Sequence, residues 1–188
     1  GGIKMNITIQ TEIMYPLLFF IIYSFLGWIG EVAYAYKNQK KFVNRGFLFG
    51  PYCPIYGASL VLLITFLTSI SDNIFIQYIL ATIITSTIEY LAGYILEKSF
   101  KRKYWDYTED PFNLHGRICL HFSLMWGAIA LAIVKIGHPL VAYLVGLVPI
   151  PLITVIFIVL FILTMLDFIL TLCNLLNVKK HLSKLFAR

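Results

Sequence analysis

Three carboxylates stand inside apolar stretches of this chain: Glu31, Glu89 and Asp167. A charge at membrane depth costs about 2.5–3.5 kcal/mol on insertion scales, so such groups face a cavity, a partner or an ion path. Arg45 and Arg117 each stand at the head of a following apolar stretch, where a guanidinium can reach an acid from the same end of the helices. Acids and guanidinium groups gathered in a low-dielectric pocket can hold a small charged cargo or pass protons. The competing reading is a set of ion pairs that keep helices in register; such pairs add little net stability.

The densest polar stretch holds Glu97, Tyr104, Trp105, Asp106, Tyr107, Asp110, Asn113, His115 and Arg117. Trp105 and Tyr107 suit a membrane interface, while Asn113, His115 and Gly116 can cap the next helix or cover a cavity mouth. Asn44, Arg45 and Gly46, followed by Gly50, Pro51, Pro54 and Gly57, predict an irregular first half for the second span. Unwound backbone at that depth is tolerated only against protein or water. The candidate cavity set is therefore Glu31, Asn44, Arg45, Glu89, Glu97, Trp105, Asp106, Tyr107, Asn113, Arg117 and Asp167, with no catalytic residue assigned.

His115, Cys119 and His121 do not share the i, i+4 face that helical metal ligands use, so no metal or other cofactor is expected. Cys53, Cys119 and Cys173 lie in apolar context without CxxC spacing and read as small buried thiols. No GxxxxGK[ST] loop is present, so this chain carries no ATPase of its own; GxSxG and HExxH are also absent, which tilts the reading away from an enzyme without deciding it.

The elements that must position these groups are membrane helices. The chain is 60% hydrophobic and 13% charged with a mean hydropathy of +0.83, well above the ~45–50% apolar share of a soluble domain. Apolar segments run over about 13–36, 46–70, 73–96 and 118–136, and a last tract from Leu140 to Leu176 is broken by Pro149 and Pro151. This predicts an all-α polytopic bundle of five spans, with a half-helix over about 140–148 before a final span over about 151–176. The net charge of +6 comes from basic clusters flanking spans, which speaks for topology and against nucleic acid. Lys37, Lys40, Lys41 and Arg45, then Lys98, Lys101, Arg102 and Lys103, then Lys179, Lys180, Lys184 and Arg188, fall on one side only for an odd number of spans. The N-terminus is then outside and the C-terminus cytoplasmic.

GFLFGPYCPIYGA (Gly46–Ala58) and GRICLHFSLMWGA (Gly116–Ala128) match in spacing, with their glycine pairs Gly46–Gly57 and Gly116–Gly127 eleven residues apart, and each follows a span with a small or polar stripe ending in an acid: Ser24, Gly27, Glu31 and Thr82, Thr85, Glu89. A parallel two-hairpin duplication over about 15–70 and 73–137 accounts for this; recurrent small residues at helix contacts also would. The expected organisation is a cloning remnant and extracellular N-terminus over 1–12, one transmembrane domain over 13–177, and a basic cytoplasmic tail over 178–188.

Taken in order, YSFLGWIGE (Tyr23–Glu31), NRGFLFGPYCPIYG (Asn44–Gly57), IEYLAGYILE (Ile88–Glu97), WDY (Trp105–Tyr107) and NLHGRICLHFSLMWG (Asn113–Gly127) resemble the Putative ABC-transporter type IV family, the CmpB-like bacterial membrane proteins. The resemblance covers about Tyr15 to Asp167 and implies a transport-related cell-membrane protein. Three functions remain open: a small-molecule transport component with a polar cavity in the cytoplasmic half, partnered by a separate ATPase subunit; an enzyme acting on a lipid or isoprenoid head group at the inner leaflet; and a structural or partner-binding membrane subunit. The expected partners are the lipid bilayer and an unidentified small-molecule ligand, with further copies of the chain in an oligomer.

Overall fold

The computed structural model describes residues 2–176, with side chains from Glu12 onward apart from Thr68. The basic tail expected over 178–188 lies outside the described residues, as does Gly1 of the expected remnant. Helix dominates: α1 (Gly2–Gln39), α2 (Pro54–Ile70), α3 (Ile74–Phe100), α4 (Leu120–Ala132), a π turn (Ile133–Gly137), α5 (His138–Gly146) and α6 (Ile150–Leu175). Two-residue strands β1 (Asn113–Leu114) and β2 (Ile118–Cys119) pair antiparallel between α3 and α4.

Four stretches are long and apolar enough to cross a bilayer: Glu12–Gln39, Ile74–Phe100, Leu120–Gly146 and Ile150–Leu175. A shorter apolar helix occupies Pro54–Leu67. Membrane embedding follows, because only self-satisfied backbone can lie in lipid and these segments leave large apolar side chains such as Phe75, Ile136 and Leu170 open to it.

The helix ends follow local chemistry. Lys40 turns left-handed (φ 54) after α1, its N–H donating to the Tyr36 carbonyl. The stretch from Lys41 to Cys53 then stays irregular, as its glycines and prolines predict, and Pro54 restarts the helix where its missing N–H costs nothing. Asn73 caps α3 by accepting from the Phe75 and Ile76 N–H groups. Lys101 ends α3 in the left-handed region, donating to the Glu97 carbonyl. Pro149 separates α5 from α6 as expected.

The expected break before the half-helix is corrected. The half-helix before the last span is not a separate element; it is α5, continuous through the π turn with α4, so Lys135 and His138 lie within helix instead of a loop. In an α-helix the Pro139 ring would collide with the Lys135 carbonyl. The wider turn, closed by the His138 N–H donating to the Ile133 carbonyl, absorbs the proline without ending the helix.

The described residues fall into two compact units. The first is drawn from Gly1–Pro54 and Thr154–Arg188, and the second is Ile55–Ile153. In the first, Leu18, Ile21, Tyr23, Leu48 and Cys53 are buried, and the Thr154 hydroxyl on α6 reaches the Met14 sulfur on α1. In the second, α3 packs on α4 at Gly127, where a Cβ would stand 2.8 Å from the Thr82 Cα. Small residues permit such close backbone approach where lipid provides no hydrophobic drive. Cys173, expected to be buried, is exposed on α6, while Cys53 and Cys119 are buried.

Candidate functional site

The first unit gathers Glu31, Asn44, Arg45 and Asp167. Trp28 and Glu31 are one turn apart on α1, so both present to the irregular stretch that follows it. The Glu31 carboxylate pairs with Arg45 Nε at 3.4 Å, and the same guanidinium lies 5.7 Å from the centre of the Tyr34 ring. The pair is partly exposed, so it orients the side chains more than it stabilises the fold. Asn44 organises the turn. Its Oδ1 accepts from Trp28 Nε1 at 2.8 Å and from the Gly46 N–H at 3.1 Å, while its Nδ2 donates to the Phe49 carbonyl at 2.9 Å.

Asp167 meets backbone instead of a guanidinium. Its carboxylate accepts the N–H groups of Phe49 at 3.1 Å and Gly50 at 2.8 Å, and the Thr171 hydroxyl one turn along α6 approaches it at 3.3 Å. Two successive N–H groups aimed at one anion form a nest. A Cβ at Gly50 would stand 2.8 Å from Asp167 Oδ2, so a side chain there would push the carboxylate off these N–H groups. The Cys53 N–H donates to the Ser24 carbonyl at 2.9 Å, which fastens the far end of the stretch to α1.

The second unit gathers Glu89, Glu97, Trp105, Asp106, Tyr107, Asn113 and Arg117. Glu97 Oε2 accepts from Arg117 Nε at 3.1 Å and Nη2 at 2.7 Å. The guanidinium also lies 5.4 Å from the centres of both the Tyr90 and Tyr94 rings. The Glu97 bond foremost, and then Tyr90, raise the already high pKa of Arg117. Trp105 Nε1 donates to the Arg117 carbonyl at 2.9 Å, holding the base of that side chain. The enclosed space beside Glu97, Trp105 and Arg117 is about 10 Å³, room for roughly one water molecule.

Tyr107 joins the loop to α3: its hydroxyl donates to Glu89 Oε1 at 3.0 Å, and its ring stacks on Phe122 at 5.0 Å. Burial, then the neighbouring carboxylate, push the phenol pKa up, so the hydroxyl stays a donor. Asp106 closes the loop on itself through the Thr108 hydroxyl and N–H and through Lys103 Nζ at 2.9 Å, which hold its carboxyl at about 2. Asn113 donates to the Thr108 and Asp110 carbonyls and accepts the Gly116 N–H, bracing the strand pair. The sequence reading missed Tyr90 and Tyr94; their i, i+4, i+7 spacing with Glu97 places all three on one face of α3.

No curated protein and no solved structure matches the chain. A family model described as Putative ABC-transporter type IV matches residues 18–172. That stretch takes in both polar clusters and every helix in whole or in part, so this chain belongs to the Putative ABC-transporter type IV family.

Proposed function

We propose that this chain is the membrane component of a small-molecule transporter, driven by an ATPase on a separate subunit, with its cargo admitted through the polar surface around Glu31, Asn44, Arg45 and Asp167. The observation that carries this reading is the unwound stretch Lys41–Cys53. α2 has 17 residues, a length of about 25 Å against a hydrocarbon core of ~30 Å, so it falls short of a full span by itself and directly follows irregular backbone in the chain. Discontinuous spans of this kind form cargo sites in transporters, where freed backbone groups and side chains meet the ligand. Five spans with the Lys41 and Lys101 ends cytoplasmic fit the basic clusters.

The test is a thermal-shift screen of the protein in lipid nanodiscs against small carboxylates, phosphates and amines. A ligand that raises the melting temperature of the wild type and fails to do so for Glu31→Gln supports the proposal. A screen in which Glu31→Gln and Glu89→Gln match wild type for every compound removes it.

A second reading, a structural or partner-binding subunit, is favoured by the pairing of Arg45 with Glu31 and of Arg117 with Glu97. It predicts that no compound in the screen shifts the wild type, and that the protein co-purifies with a partner through its loop surfaces.

A further inference from the structure

Between α3 and α4 runs a groove of about 580 Å³, lined along its length by Thr82, Ile83, Ser86 and Leu91 and at its loop end by Phe112 and Leu114. Three hydroxyls on this part of α3 return to the helix: Thr82, Thr85 and Thr87 donate to the carbonyls of Tyr78, Ala81 and Ile83. Ser86 breaks that pattern. Its Oγ is buried with no hydrogen-bond partner among the described residues, which is costly in apolar surroundings. One turn nearer the loop, the Tyr90 hydroxyl meets His115 Nδ1 at 3.0 Å. Either tautomer leaves the pair a donor at the groove mouth: His115 Nε2–H when Nδ1 accepts, the Tyr90 hydroxyl when Nδ1 donates.

Phe112 stands at the same end, 83% exposed at φ 54. A bulky residue in the left-handed region is strained, and such strain persists where it fixes a side chain for use. Lys98, Lys101, Arg102 and Lys103, at the end of α3 and just beyond it, supply positive charge.

We propose that this groove binds one anionic glycerophospholipid of the bilayer. One acyl chain lies along Ile83 and Leu91 under the Phe112 ring, Ser86 turns its χ1 to bring the unpartnered Oγ into the groove and donate to an ester carbonyl, and the Tyr90–His115 pair donates to the phosphate. Ser86 and Tyr90 are about 6 Å apart along the helix axis, matching the step between the esters of a phospholipid and its phosphate. A transmembrane helix from another chain fits less well, because its carbonyls are committed to its own ladder and offer Ser86 no acceptor.

Native mass spectrometry of the full chain, with palmitoyl-oleoyl phosphatidylglycerol or the matching phosphatidylcholine added in detergent, tests this independently of the transport reading. The wild type is expected to retain one phosphatidylglycerol, several-fold more than phosphatidylcholine. Ser86→Leu, which fills the groove, is expected to retain at least tenfold less. Phe112→Gly suits the left-handed backbone and keeps the fold, yet is expected to lose retention several-fold; it decides the matter if Ser86→Leu does not fold. Equal retention of the two lipids overturns the proposal, as does wild-type retention in either folded variant. So does a dimer that these substitutions dissociate while bound lipid is unchanged.

Discussion

The carboxylate of Asp167 accepts the backbone N–H of Gly50 at 2.8 Å, joining positions 117 residues apart in sequence. An acid that looks, in sequence, like a charge awaiting a cation is instead the anchor for irregular backbone. Asp167→Ala leaves the Phe49 and Gly50 N–H groups without this acceptor and is expected to cost about 2 kcal/mol. Gly50→Ala, whose Cβ meets Asp167 Oδ2, is expected to give a loss of the same order. Thermal denaturation in detergent measures both; a double variant no worse than either single one shows that they act on one contact.

Arg117 is held by shape as well as charge. A lysine ammonium cannot give Glu97 two donors while lying flat between Tyr90 and Tyr94. Arg117→Lys is therefore expected to lower the melting temperature nearly as much as Arg117→Ala. A lysine variant that melts like the wild type would show that charge alone suffices.

Much of the architecture was legible in the sequence, and the site was legible only in part. Apolar lengths marked the helices, and Gly46, Gly50, Pro51 and Pro54 marked the unwound entry to α2, because these residues act through their own backbone. The Glu31–Arg45 pair was readable from shared depth. The π turn was not, since Lys135, His138 and Pro139 carry the ordinary marks of a loop. Asp167 was misleading for a plainer reason: backbone amides are present at nearly every position, so a carboxylate that binds them leaves no matching side chain to find.

Tyr107 links pH to the loop. Its folded-state pKa is raised, so the contribution to stability is fully present below the unfolded value of about 10 and is lost as pH rises beyond it. The wild type is expected to lose stability above pH 10 more steeply than Tyr107→Phe. At neutral pH, Tyr107→Phe gives up the Glu89 bond but keeps the Phe122 stack and is expected to cost about 1 kcal/mol. Melting curves of both proteins between pH 7 and 11 check the two statements together.

Asp106 works in the opposite sense. Its carboxyl is held at about 2 by the Thr108 contacts and Lys103, so its contribution is present above the ordinary aspartate range and lost as pH falls toward 2. Pepsin is expected to cut between Trp105 and Gly116 slowly at pH 4 and readily at pH 2. Asp106→Asn is expected to remove that difference.

Gly127 sets the distance between α3 and α4. Gly127→Ala brings a methyl group against the Thr82 backbone and is expected to cost about 1–3 kcal/mol. Pairing it with Thr82→Gly is expected to recover part of that loss, and SDS-induced unfolding measures both variants.

The wide turn at Ile133–Gly137 also governs phase. Because it takes up an additional residue, everything from His138 to Gly146 is rotated about 100° from where an unbroken ladder would carry it. Val134, within the turn, and Val145, beyond it, are both buried. A lineage that dropped one position here would keep its span and hydropathy yet swing lipid-facing Tyr143 and Leu144 to a new heading, so length in this short window is constrained more tightly than composition.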